Sequence, residues 1–196
     1  MAMNSRDPSF RELLGKHSWP AGFANVILQS KEKVAYRFLI VDNSRSMLKN
    51  DGHRLTKKAD GKIVFEECSR WMEVSESITT LASHAHKACT PVEIRLLNKA
   101  QPVMIGREGE GDESLTALRL ALSTEPAGLT PVCKQIREVI ESVKAMKAEL
   151  EASNKIALLL IVTDGESTDG DVADMIKPLE GKQLIPIFQF ISLVPT

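Results

Sequence analysis

Two short runs constrain this chain more than anything else in it. Val34–Val41 (VAYRFLIV) and Ile156–Thr163 (IALLLIVT) are dominated by aliphatic and β-branched residues, and they end at Asp42 and Asp164. A run this short, apolar on both of its alternating faces, is the pattern of a central strand in a sheet covered on both sides. Leu184–Ile191 (LIPIFQFI) is a third run of the same kind. Val92–Leu97 and Pro102–Ile105, separated by Asn98–Gln101, form a weaker pair that reads as a hairpin at the sheet edge.

The segments between these strands carry helical spacing. From Val64 to Cys89 apolar residues recur at Val64, Cys68, Trp71, Val74, Ile78, Leu81 and Ala85, close to a period of 3.6 residues. Glu113–Ser123, Pro131–Leu150 and Asp171–Leu179 show the same stripe, with Lys and Glu opposite it in the second of the three. Strands alternating with helices predict an open, mostly parallel α/β sheet with helices on both faces and one antiparallel edge strand. Leu48–Lys62 (LKNDGHRLTKKADGK) is polar and contains glycine, and it reads as a long exposed connection. Residues 1–33 read as a helical extension packed on the edge of the main domain, 34–196. Phe10, Leu13 and Leu14 share one face, Pro20 divides the extension, and a polar break follows at Gln29–Lys33. A partner-binding arm is the alternative for this extension.

Composition removes several classes of function. A chain of 196 residues, 43% hydrophobic and 26% charged, suits one globular domain. The net charge of −1 and the lack of a basic stripe argue against a nucleic-acid partner. Cys68, Cys89 and Cys133 are odd in number and widely spaced, which argues against a disulfide framework. No run has the length of a membrane span, and the N-terminal residues lack the apolar core of a signal peptide. These features together predict an intracellular protein.

In an open α/β sheet, ligands bind beyond the carboxyl ends of the strands, where the strand order reverses. The first strand runs into Asp42-Asn43-Ser44-Arg45-Ser46, and the later one into Asp164-Gly165-Glu166-Ser167. A long helix between them opens with Gly128-Leu129-Thr130-Pro131. Asp42, Ser44, Ser46, Thr130 and Asp164 therefore offer oxygen, and neither nitrogen nor sulfur, at one end of the sheet. Such a set favours a hard cation, Mg²⁺ or else Mn²⁺ or Ca²⁺, over zinc or copper. Each piece alone has a plainer reading. Asp-x-Ser-x-Ser after a strand is often a cap cluster, Thr130-Pro131 is a good helix start, and Asp164-Gly165 is an ordinary turn pair.

Taken in this order, the residues resemble the metal-ion-dependent adhesion site of von Willebrand factor A-type domains. The resemblance runs from about Val34 to Ile191. It implies a Rossmann-like sheet, direct metal ligation by the hydroxyls of Ser44, Ser46 and Thr130, and carboxylates of Asp42 and Asp164 acting through water. It also implies a protein partner that presents a Glu or Asp to the metal. Arg45 and Leu129 stand where family members commonly have glycine, and Arg45 either assists anion capture or points to solvent. The family domain usually continues beyond the last strand seen here, so a fragment or a short domain is expected.

Other features read more plainly. His84 and His86 lie on different faces of a helix and suit surface or capping roles, and His53 reads as a loop residue. Trp19 and Trp71 read as packing anchors. Glu166, Asp169 and Asp171 read as an acidic turn and helix start. Haloacid-dehalogenase-type phosphatases also follow an apolar strand with Asp-x-Asp and a metal, but Ser44 replaces their second acid. Neither a nucleophile–base pair nor a Walker-type loop is present, so no catalytic residue is expected. The alternative function is a scaffold that keeps the fold and uses metal-independent surfaces, with a metal-dependent hydrolase third.

Overall fold

The computed structural model describes residues 19–177 and 188–192. Helix α1 (Ala21–Lys33) leads directly into β1 (Val34–Val41). A 3-10 turn at Arg45–Leu48 follows, then the strands β2 (Gly52–Lys57) and β3 (Ile63–Cys68), and then α2 (Arg70–Lys87). Next come β4 (Val92–Leu96), β5 (Val103–Ile105), α3 (Glu113–Leu122), α4 (Val132–Ala145) and α5 (Lys147–Ser153). The described chain closes with β6 (Ile156–Thr163), α6 (Val172–Ile176) and β7 (Phe188–Ser192).

Five strands form one sheet in the order β5-β4-β1-β6-β7. β1 runs parallel to β4 and β6, β6 runs parallel to β7, and only the β4–β5 edge pair is antiparallel. The chain starts in the middle of the sheet, builds outward on one side, and returns to build the other, so the order reverses at β1 and β6. That is the doubly wound arrangement expected of alternating strands and helices.

The two faces of β1 explain why its sequence is apolar throughout its second half. Leu39 and Val41 pack with Trp71, Val74 and Ile78 of α2 and with Leu118 of α3. Phe38 and Ile40 point the other way, into Ile136, Val139 and Val143 of α4 and Leu150 of α5. Successive strand residues alternate faces, and both faces are covered. β6 is divided in the same way, with Leu159 and Ile161 on the α4 side and Val162 on the α2 side.

Several expectations need correction. Leu48–Lys62 is not one long loop, because Gly52–Lys57 pairs with Ile63–Cys68 as a separate two-stranded antiparallel ribbon. Val64 and Cys68 matched the helical phase, but they belong to β3. Helix α2 starts only after Ser69, whose side chain accepts from Met72 N–H at 3.2 Å. The alternation in GHRLTK and IVFEEC carried the strand signal, masked by the continuing i, i+4 apolar spacing. The helix expected over Pro131–Leu150 is interrupted at Met146 and continues as α5.

Helix α1 runs unbroken through Gln29–Lys33, where a polar break was expected. It packs through Ala24 and Leu28 beside Trp19 and Ala88. Phe10, Leu13 and Leu14 lie outside the described residues, as do 178–179 of the expected last helix and 184–187 of the expected third strand. Among the described residues no helix is long and apolar enough to cross a membrane. All three cysteines are free thiols.

Candidate metal centre

The parallel register of β1 and β6 pairs Val41 with Val162, so both strands release their polar residues side by side. Asp42 N–H still donates to Val162 O at 2.8 Å, which fixes the first residue beyond the strand. The Asp42 side chain is wholly buried. Its Oδ1 accepts from Ser44 N–H at 2.8 Å and its Oδ2 from the Thr163 hydroxyl at 2.7 Å. Among the described residues no basic side chain pairs with it. A buried carboxylate held only by neutral donors carries a large desolvation cost that hydrogen bonds offset in part.

From Asp42 a chain of polar atoms crosses to the second strand. Ser44 Oγ lies 2.9 Å from Ser46 Oγ, and Ser46 Oγ donates to Asp164 Oδ1 at 2.7 Å. Ser46 has one hydroxyl proton and gives it to Asp164, so Ser44 must be the donor to Ser46. Both hydroxyl protons therefore run toward Asp164, leaving serine lone pairs available to an electrophile. Four of the five expected residues are brought together in this chain.

Thr130 is held alongside through its loop. Ala127 N–H donates to Asn43 O at 2.9 Å, and Arg45 N–H donates to Gly128 O at 3.4 Å. Asn98 braces both segments, donating from its backbone to Asn43 Oδ1 at 2.9 Å and from Nδ2 to Leu129 O at 2.8 Å. Gly128 has φ +89°, and a Cβ there would sit 2.9 Å from Asn98 Oδ1, so both conformation and space require glycine. Thr130 is buried, and its backbone exchanges hydrogen bonds with Thr168.

Helix capping was the plainer alternative for Thr130, and its side chain does not serve it. α4 begins at Val132, one residue after the expected first position, Pro131. The cap comes from Asp169, whose two oxygens accept from Cys133 N–H at 3.0 Å and Lys134 N–H at 2.7 Å. The carboxyl of Asp169 is subject to burial, which raises it. The bonds from Ser167 Oγ and the two backbone groups outweigh that and hold it below the usual carboxylate range. With capping done elsewhere, the Thr130 hydroxyl makes no hydrogen bond with a described residue. Asp171, in turn, caps α6 by accepting from Ala173 N–H at 2.7 Å.

Sequence reasoning missed Arg70. It is 5% exposed, and its Nη1 donates to Asp164 Oδ2 at 2.7 Å. Its Nε and Nη2 fork onto Asp51 at 2.6 and 2.5 Å. The hydrogen bonds to Asp51 and then Asp164 hold the guanidinium proton more tightly than usual, although burial opposes this. The same bond lowers the Asp51 carboxyl from its ordinary value. Arg70 is the first residue of α2. A basic residue there runs against the helix dipole, and that was the one sign available in the sequence. Arg45, in contrast, is exposed.

The histidines and tryptophans play structural parts. His84 stacks edge-on with Trp19 and Phe23 at 5.3 and 5.1 Å between ring centres. His86 faces Glu110 at 3.7 Å and Asp112 at 3.3 Å. Trp71 Nε1 donates to Leu122 O at 3.1 Å.

No group of three or more His, Cys, Asp or Glu side chains suited to a metal occurs among the described residues. The candidate set has only two carboxylates, and its other members are hydroxyls, which fit a hard divalent cation by donor type. The two serine hydroxyl protons run toward Asp164, and the buried Asp42 meets no counter-charge among the described residues, so the residues present fit such an ion. Comparison with known protein families finds no matching family, and a search of curated proteins finds no match.

Proposed function

We propose that this chain is an interaction domain of the von Willebrand factor A type that holds a divalent cation, Mg²⁺ or else Mn²⁺ or Ca²⁺. Ser44, Ser46 and Thr130 would offer hydroxyl oxygens to it, and Asp42 and Asp164 would act from behind through water. The observation that carries this reading is the burial of Asp42 with no basic partner among the described residues, beside serine lone pairs already freed by the hydrogen-bond chain. When bound, the cation supplies a strong local field that attracts one further anionic oxygen. The partner is then a protein presenting an Asp or Glu.

The chain's own residues set the frame for that contact. Asn98 and Gly128 lock the Thr130 loop against the Asp42–Ser46 loop, and Arg70 keeps Asp164 turned toward Ser46. Arg45 and Leu129 stand exposed at the rim, available to a partner. The reading is non-catalytic: Ser44 occupies the place where a phosphatase of this shape would need its second acid. Three free thiols suit a reducing compartment, and we place the interaction inside the cell.

The test is thermal shift and calorimetry with Mg²⁺, Mn²⁺ and Ca²⁺ on wild type, Asp42→Ala and Ser44→Ala, with and without acetate. A cation that binds only the native state raises the melting temperature. Stabilisation of wild type that both variants lose supports the reading. A folded wild type indifferent to millimolar cation, even with acetate, refutes it.

A second reading has one observation in its favour. Leu55, Ile63 and Phe65 on the β2–β3 ribbon are 62%, 68% and 75% exposed, an apolar surface that needs no metal. Partner binding that survives EDTA and Asp42→Ala would favour this metal-independent scaffold.

A further inference from the structure

The β2–β3 ribbon is rooted on the first turn of α2, next to the oxygen cluster. Arg70 N–H donates to Lys49 O at 3.0 Å, and Glu73 Oε2 accepts from His53 N–H at 2.9 Å. Gly52 allows this approach, since a Cβ there would lie 2.9 Å from Glu73 Oε2 and 3.0 Å from Ser69 O. The Arg70 side chain then spans the root. Its Nε and Nη2 grip Asp51, just before β2, and its Nη1 grips Asp164 in the cluster. One buried guanidinium thus touches both the ribbon and the candidate site.

We propose that the Asp51–Arg70–Asp164 bridge couples the oxygen cluster to the ribbon. Arg70 is a positioning residue that turns Asp164 Oδ1 toward Ser46, and Asp51 tunes how tightly the cluster holds a divalent cation. The proposal rests on the cation reading above and adds a regulation to it. The physics is a division of charge. Arg70 beside Asp164 opposes a second cation there, and Asp51 offsets that opposition by sharing the guanidinium. With Asp51 neutralised, the whole positive charge falls on Asp164. Coupling is reciprocal, so a cation drawing on Asp164 releases Arg70 toward Asp51 and tightens the ribbon root. Leu55, Ile63 and Phe65 ride on that ribbon, so occupancy of the cluster alters how firmly an apolar surface is held.

The experiment is Mg²⁺ calorimetry on the full chain, with tryptic cleavage at Lys57, Lys58 and Lys62 in the ribbon measured with and without Mg²⁺. Wild type is compared with Asp51→Asn, Arg70→Lys, and Asp60→Asn, which changes net charge equally but makes no contact with Arg70. Asp51→Asn should stay folded and bind Mg²⁺ about tenfold more weakly, while Asp60→Asn binds as wild type does. Mg²⁺ should slow ribbon cleavage in wild type and much less in Asp51→Asn. Arg70→Lys, which keeps charge but loses the fork, should be cleaved faster even without Mg²⁺. If wild type binds Mg²⁺ and Asp51→Asn matches it in affinity and cleavage, the coupling is overturned and the cation reading stands. If wild type binds none of Mg²⁺, Mn²⁺ and Ca²⁺, even with acetate, both fall.

Discussion

The two strands that meet where the sheet order reverses end alike in sequence but differ in charge. β1 ends at Asp42, buried, with its carboxylate accepting from Ser44 N–H and the Thr163 hydroxyl. β6 ends at Asp164, equally buried, with the Arg70 guanidinium on one oxygen. Among the described residues the β6 end has a counter-charge and the β1 end does not. Two strand-end aspartates thus sit in different settings, Asp164 in an ion pair and Asp42 among neutral donors. The polar chain through Ser44 and Ser46 joins the two ends.

The largest effect should come from breaking the self-neutralised end. Arg70→Ala strands Asp164 as a buried charge and should cost roughly 3–5 kcal/mol of unfolding free energy, read by urea denaturation. A cost below about 1 kcal/mol would mean that Arg70 does not compensate Asp164 and that the two ends are equivalent. At the other end, saturating Mg²⁺ at a hundredfold over its dissociation constant should stabilise wild type by about 2.7 kcal/mol. Asp42→Ala should lose that stabilisation in thermal melts, and retention of the full shift would place the cation elsewhere.

Asp169 tests whether capping and ligation are separate duties. Asp169→Ala should cost about 1 kcal/mol, the usual loss for a helix cap, while leaving the Mg²⁺ response intact. Its carboxyl lies below the ordinary range when folded. Its contribution is therefore fully present above roughly pH 4 and fades as pH falls through the depressed folded value. The variant should lose stability less steeply than wild type on acid titration. The smallest effect is expected at Thr130. Thr130→Val should change metal-free stability by only about 0.5 kcal/mol, because its hydroxyl caps nothing, yet it should weaken Mg²⁺ binding in calorimetry. A large metal-free loss would return Thr130 to a structural role.

Much of this architecture is legible from residue order. Val34–Val41 and Ile156–Thr163 fall on the observed strands to the residue, and the edge hairpin at Val92–Ile105 is antiparallel as the pattern implies. Strands apolar on both faces have few alternatives, since only a sheet covered on both sides buries them. The ribbon escaped because Val64 and Cys68 satisfy two periods at once, and only pairing with Gly52–Lys57 decides between them. The helix start escaped at Thr130 because a local cap preference cannot anticipate a better cap arriving from Asp169, 36 residues away from Cys133.

The candidate site divides along the same line. Asp42, Ser44, Ser46 and Asp164 can be chosen from sequence because strand ends and local spacing place them, and local rules act over a few residues. Their charge balance cannot be read that way. Arg70 reaches Asp164 across 94 residues of chain, and Asn98 reaches the Asn43 side chain and the Leu129 backbone from a third loop. Those contacts exist only once the sheet has closed and the helices have docked. Which aspartate meets the guanidinium, and which meets only neutral donors among the described residues, is a property of packing and not of pattern.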